Sequence, residues 1–190
     1  MRKLKLQVQM TVDGFISGLN GEMDWMAFNW DNELMEYVKG ITEPIDCIVL
    51  GRKLAEGFIP HWATVAANPD DPEFAAGNKF TNTPKVVFTK TLDKSPWENT
   101  VLAKGDLAEE ITGLKKQDGN DIIAYGGATF VSGLIRQGLV DEYHLFINPA
   151  AIGKGLAIFK ELDSKQNLTL VKSKSFDCGI VVLHYEPKRN

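Results

Sequence analysis

Leu4, Leu6, Val8, Met10 and Val12 are apolar, and Lys3, Lys5, Gln7 and Gln9 between them are polar. A period of two puts one set on each face of an extended chain, so the segment predicts a half-buried strand. Asp13-Gly14 breaks the alternation, and a loop follows through Asn20-Gly21. In DNELMEYVKGI the period changes, with Leu34, Tyr37, Val38 and Ile41 at helical spacing. Strands and helices then alternate. DCIVLG is a short buried strand with RKLAEGF as the helix behind it, and KVVFT is another strand. Asp106 with Glu109 resembles a capping box that opens a helix to about Gln117. DIIAY is a strand, followed by a helix over residues 128 to 137 that Gly138 ends in the left-handed region. EYHLFIN, LTLVKSK and GIVVLHY close the chain as strands, the last two a hairpin about Asp177-Gly179. Residues 59 to 83 form one long irregular region, inside which Asp71-Pro72 caps a short helix. This order predicts a three-layer α/β domain whose mixed, mostly parallel sheet ends in an antiparallel C-terminal hairpin.

Composition narrows the partners. The 190 residues, 44% of them apolar, suit one domain spanning 1–190 with a substantial core. The 25 acids outnumber 21 scattered bases, which argues against a nucleic acid or an anionic membrane as partner. No apolar run approaches the roughly 20 residues of a membrane span, and MRKLKLQVQM alternates instead of forming a signal core, so the expected compartment is the cytoplasm. Cys47 and Cys178 make no disulfide framework. His61, His144 and His184 show no ligand spacing, so no metal is expected. Ser132 in FVSGL lacks a nucleophile elbow, and Gly153-Lys154-Gly155 reads as a turn or bulge.

Three strand ends look alike: Gly51-Arg52, Thr89-Lys90 and Gly126-Gly127. Ligands of open α/β sheets gather at the carboxyl ends of the strands. A strand that turns straight into a helix aims free N–H groups at that edge, where the helix dipole favours phosphate. Gly126-Gly127 is therefore either a tight turn or the floor of a phosphate site, with the N–H groups of Ala128, Thr129 and Phe130 as donors. Arg52 and Lys90 suit an adenosine 2′-phosphate, which points to NADP over NAD. The G-x-G-x-x-G fingerprint is absent.

The succession MTVDGFIS, VLGRKLAEGF, VVFTKTL, AYGGATFVSGLI and GLVDEYHLFINPAAIGKGLAIF resembles the dihydrofolate reductase-like superfamily. Within it, the chain is most similar to the C-terminal reductase domain of the bifunctional riboflavin-biosynthesis protein, over about Lys3 to Tyr185. The resemblance implies NADPH as cofactor. It assigns Gly51, Arg52 and Lys53 to the first phosphate-side loop, and Thr89 and Lys90 to the strand end near the adenosine. It further assigns Gly126, Gly127, Ala128 and Thr129 to the pyrophosphate turn, with Asp13 and Gly14 near nicotinamide and substrate. Leu54 stands where the family often has Thr. Riboflavin reductases tend to follow Ser-Leu-Asp-Gly with a base, whereas here Thr11-Val12-Asp13-Gly14 is followed by Phe15. The C-x-x-C element of a deaminase half's zinc pattern is absent.

Dihydrofolate reductases carry a carboxylate in the first turn of the helix lining the substrate cleft, and Asp31 falls there. On an inward face its pKa would rise, making it a proton donor, or it would anchor an amidine-like group. The alternative is a plain helix cap. Asp13 is likewise either a contact residue or an ordinary turn residue. Trp25, Trp30 and Trp62 border the expected cleft, as core or as a stacking surface. The implied activity is hydride transfer to a C=O or C=N bond of a heterocyclic or sugar-linked pyrimidine, as in 5-amino-6-(5-phosphoribosylamino)uracil reductase. The alternative is a nucleotide-binding module without catalysis. Ile180, Val181, Val182 and Leu183 make the last strand apolar on both faces, so a homodimer is expected, unless residues 59 to 83 cover it.

Overall fold

The computed structural model describes residues 1–188 and places the alternating N-terminal segment at the centre of a sheet. β1 (Leu4–Thr11) lies between β5 (Asp121–Tyr125) and β6 (Glu142–Asn148), parallel to both. Beyond β5 follow β2 (Ile45–Gly51), β3 (Lys85–Phe88) and β4 (Thr100–Ala103), all parallel. Beyond β6 lie the antiparallel β8 (Val181–Pro187) and then β7 (Leu168–Ser175) at the edge. The order is β4-β3-β2-β5-β1-β6-β8-β7, the expected mostly parallel sheet with an antiparallel C-terminal hairpin.

Helices close both faces. α1 (Asn32–Thr42), α2 (Arg52–Ala66) and α3 (Phe74–Asn82) pack over Ile48, Leu50, Ile123 and Phe146. α4 (Leu107–Lys116) and α5 (Ala128–Arg136) pack over Leu4, Leu6, Val8, Ile122 and Ala124. Gly138, at φ +64°, ends the last helix as expected. Among the described residues no helix is long and apolar enough to cross a membrane.

Four local readings change. β1 is covered on both faces, so Lys5 and Gln7 are buried instead of solvated; its central place in the sheet overrides the local alternation. Residues 59 to 83 are mostly helical: α2 continues through Pro60, and α3 starts at Phe74, two residues beyond Asp71-Pro72. Aromatic packing offsets the missing Pro60 N–H, with Trp62 and Phe80 rings 4.6 Å apart and Phe58 and Phe80 5.7 Å apart. Helix α4 is capped by Asp106 as expected, but Glu110, not Glu109, reaches back to the Gly105 N–H. The four-residue β4 carries too short a pattern to read in the sequence and forms by pairing with β3.

Candidate functional site

Because β3, β2 and β5 are parallel neighbours, their carboxyl ends share one edge. Gly51 pairs with Phe88, and Val49 with Ala124. Thr89, Gly51-Arg52 and Gly126-Gly127 therefore lie within two strand spacings, about 10 Å. The three glycines differ in what holds them. At Gly51 a Cβ would sit 2.8 Å from the Phe130 Cβ, so packing of α5 on β2 requires glycine. Gly127 has φ +85° and caps α5 without any side-chain hydrogen bond. At Gly126 a Cβ would meet nothing within 4 Å. Packing does not demand glycine there, and the bare backbone faces open space beside the positive end of α5. Ala128 is buried and Thr129 exposed in the first turn.

Two of the three nearby bases are seen with partners. Arg52 pairs with Glu56 one turn along α2, and Lys53 is exposed. The Lys90 ammonium donates to the carbonyls of Lys104 (2.5 Å) and Gly105 (2.9 Å), tying the exit of β3 to the start of α4. Thr89 Oγ1 accepts from the Thr91 and Leu92 N–H groups, both at 3.2 Å, and so shapes that turn.

At the carboxyl ends of β1 and β6 a second group assembles. Asn148, fully buried, accepts from Ala27 N–H at 2.9 Å and donates to Gln9 Oε1 at 2.8 Å. It pins the loop before α1 to the sheet. Nothing in the local pattern singled it out, apart from a polar residue ending an apolar strand. Asp13, exposed beside Gly14 at φ +90°, accepts from the N–H groups of Ile152 (3.1 Å) and Gly153 (2.6 Å). The Thr11 hydroxyl, with these amides, holds its carboxyl below the ordinary range. Trp30 stacks on Phe146, rings 6.5 Å apart, and donates Nε1–H to Ala27 O. Trp62 joins Phe58, Phe80 and Tyr125, whose hydroxyl is buried without a partner.

Of the two readings of Asp31, the cap is the one the hydrogen bonds display. It caps α1: Oδ1 accepts from Leu34 N–H at 2.7 Å and Oδ2 from Cys178 N–H at 3.3 Å. The Leu34 amide leads in pulling its pKa down, not up, because amide donors favour the charged form. The residue is an ionised cap that joins α1 to the hairpin turn.

Two of the histidines meet in a way that sequence spacing does not show. His144 and His184 are register partners across β6 and β8, with rings stacked 4.3 Å apart. Glu142 lies on the same face, and donor atoms of all three fall within 4.8 Å of one another. Strand pairing makes a grouping that sequence spacing does not contain. The His144 hydrogen bond, with Lys3 also contributing, holds Glu142 down to about 2. His61 stands apart on α2.

Comparison with known proteins places this geometry. The RibD C-terminal domain model matches residues 2–182. A Bacillus subtilis (strain 168) relative, the uncharacterized protein YyaP, is 32% identical over 97% of this chain and 94% of its own length. Among solved structures, the Thermotoga maritima diaminohydroxyphosphoribosylaminopyrimidine deaminase/5-amino-6-(5-phosphoribosylamino)uracil reductase superposes at TM-score 0.69 and 17% identity, over 98% of this chain and 57% of that one. Dihydrofolate reductase from Enterococcus faecalis, complexed with NADP(H) and RAB-propyl, superposes at TM-score 0.64 and 19% identity, over 98% and 97%. At such identities the superpositions establish a dihydrofolate reductase-like fold.

Proposed function

This chain belongs to the RibD C-terminal domain family, and from that premise we propose that it is an NADPH-dependent reductase. Its substrate is a small heterocycle or sugar-linked pyrimidine, reduced at a C=O or C=N bond. The observation that carries the reading is the bare backbone of Gly126 beside the uncapped N-terminus of α5. These residues fit a pyrophosphate: the first-turn N–H groups of Ala128, Thr129 and Phe130 are the donors, and Gly126 and Gly127 let the oxygens come close. Arg52 and Lys90, with Lys53 and Thr89 alongside, would hold the adenosine 2′-phosphate. Arg52 must leave Glu56 to do so. An exposed i,i+4 pair is worth only about 0.3–0.5 kcal/mol, against about 1.5–3 for a charge-assisted hydrogen bond, so the phosphate wins. Lys90 has a third ammonium N–H beyond its two carbonyls.

When bound, the nicotinamide supplies the hydride. The chain's own work is orientation. Asp13 and Gly14 shape the turn at the end of β1, and Asn148 holds the loop carrying Trp30, a planar surface for a ring. Asp31, being ionised, serves as anchor for an N–H-bearing substrate through its unused lone pairs, not as proton donor. Phe15 replaces the base that follows this turn in riboflavin reductases, which favours a substrate without a phosphoribosyl group. The same reading includes cytoplasmic residence and a two-fold dimer.

The test pairs thermal shift with NADPH oxidation. NADPH should raise the melting temperature more than NADH at equal concentration, and aminouracil ribosides, with and without phosphate, should trigger oxidation. Absence of binding by either dinucleotide overturns the reading. Binding without oxidation across the panel favours a non-catalytic nucleotide-binding module.

A further inference from the structure

We propose that Glu142, His144 and His184 form a binding site for a divalent transition metal of the zinc class, separate from the cofactor edge. Two imidazoles and a carboxylate are a donor set that zinc takes. A tetrahedral ion with bonds of about 2.0–2.1 Å sets its donors about 3.3–3.4 Å apart. Here Glu142 Oε2 lies 3.4 Å from His144 Nε2 and 3.8 Å from His184 Nε2. Lys3 occupies the other carboxylate oxygen, Oε1, at 2.6 Å, leaving Oε2 to the histidines.

Unpartnered polar atoms give independent support. His144 Nδ1, His184 Nε2 and Gln7 Oε1 are buried with no hydrogen-bond partner, and His144 and Gln7 are only 5% and 7% exposed. Buried polar atoms in native proteins take a hydrogen-bond partner or a ligand, and these three take none from the chain. Gln7 is the register partner of His144 on β1. A metal on His144 Nε2 fixes the proton on Nδ1, and Gln7, whose Oε1 is itself unpartnered, must turn toward it to give the outer-shell support that ligating histidines take. The stacked rings must splay to converge. His184, with its side chain 16% exposed, can turn about χ2, a broad torsion.

The surrounding charges tolerate a dication. Lys3 also meets Glu186 at 3.2 Å, and Lys5 meets Asp121 at 3.0 Å, so three carboxylates stand against two ammoniums. Glu142 and His144 begin β6, and His144 precedes Asn148 by four residues, about 13 Å. The site therefore stands or falls apart from the reductase reading.

The experiment uses the full chain without a histidine tag, stripped with a chelator and titrated with Co²⁺. One equivalent should bind with the intense visible absorption of a tetrahedral ion, and Zn²⁺ should displace it and raise the melting temperature. His184→Gln should weaken binding by at least about ten-fold, whereas His61→Gln on the exposed face of α2 should not. Less than a tenth of an equivalent, or only the weak absorption of an octahedral ion, overturns the site. So does unchanged binding in His184→Gln. If that variant fails to fold, the parent's stoichiometry and spectrum decide alone.

Discussion

Gly126 and Gly127 sit side by side and ask for glycine for different reasons. Gly127 needs it for its positive φ, so Gly127→Val should cost about 1–3 kcal/mol from backbone strain alone. Gly126 has room for a methyl group. Gly126→Ala should leave stability within about 0.5 kcal/mol of the parent yet lower NADPH affinity ten-fold or more by filling the phosphate approach. Isothermal titration beside thermal melting checks both, and undiminished affinity would reduce the pair to a turn. At Asp31 the folded pKa is depressed. Its contribution is therefore complete above the unfolded value and is lost as pH falls through the folded one. Acid melts of Asp31→Asn should show less loss of stability over that window than the parent. At neutral pH Asp31→Ala should melt lower than Asp31→Asn, because Asn still caps. Thiols offer a further check. Burial pushes Cys47 up to about 11, while Cys178 is only partly buried. A disulfide reagent at pH 8 should label one thiol in the native chain, and Cys178→Ser should abolish the fast reaction.

At the scale of elements, α2 shows packing overruling a local rule. Pro60 in a helix interior removes one hydrogen bond and crowds the preceding turn, yet the helix runs fifteen residues. Its apolar side is held by α3, where Gly77 comes so close that a Cβ would lie 2.8 Å from Ala66 N. Pro60 itself is exposed. Pro60→Ala should thus stabilise the chain by about 1–3 kcal/mol, read as a higher urea midpoint with unchanged slope. A lower midpoint would mean that the proline sets the direction of the second half of α2.

For the whole molecule, the strand at the C-terminal edge of the sheet is β7, not β8. The expectation from GIVVLHY was that the last strand needs a cover; in the fold, β8 sits inside the sheet between β6 and β7. Residues 59 to 83 pack mainly on the β2 and β3 side, and their Ile59 and Phe80 share one apolar cluster with Val182 of β8. The β7 edge exposes Leu170 and Val171, 52% and 51%. Edges of this kind are covered or charged in stable proteins, and a two-fold pairing through β7 satisfies both chains at once. Light scattering on a sizing column should report twice the 21.1 kDa of one chain, and Leu170→Glu with Val171→Lys should halve it. A parent mass of one chain at micromolar concentration removes the dimer.

Periodicity, glycines and caps are properties of a few consecutive residues, and those features were legible in the chain itself: the β1 alternation, the α1 and α4 caps at Asp31 and Asp106, the stop at Gly138, the C-terminal hairpin. The order of motifs also carried the family. Strand order was not local. Only the sheet put the ends of β3, β2 and β5 on one edge, gave Lys5 and Gln7 a buried place, and brought Cys178 to Asp31. It also joined Glu142 and His144 to His184, forty residues on, through antiparallel register. The physical reason is the same throughout: hydrogen-bonded register is chosen by the burial of the whole sheet, and that sum is not written in any single segment.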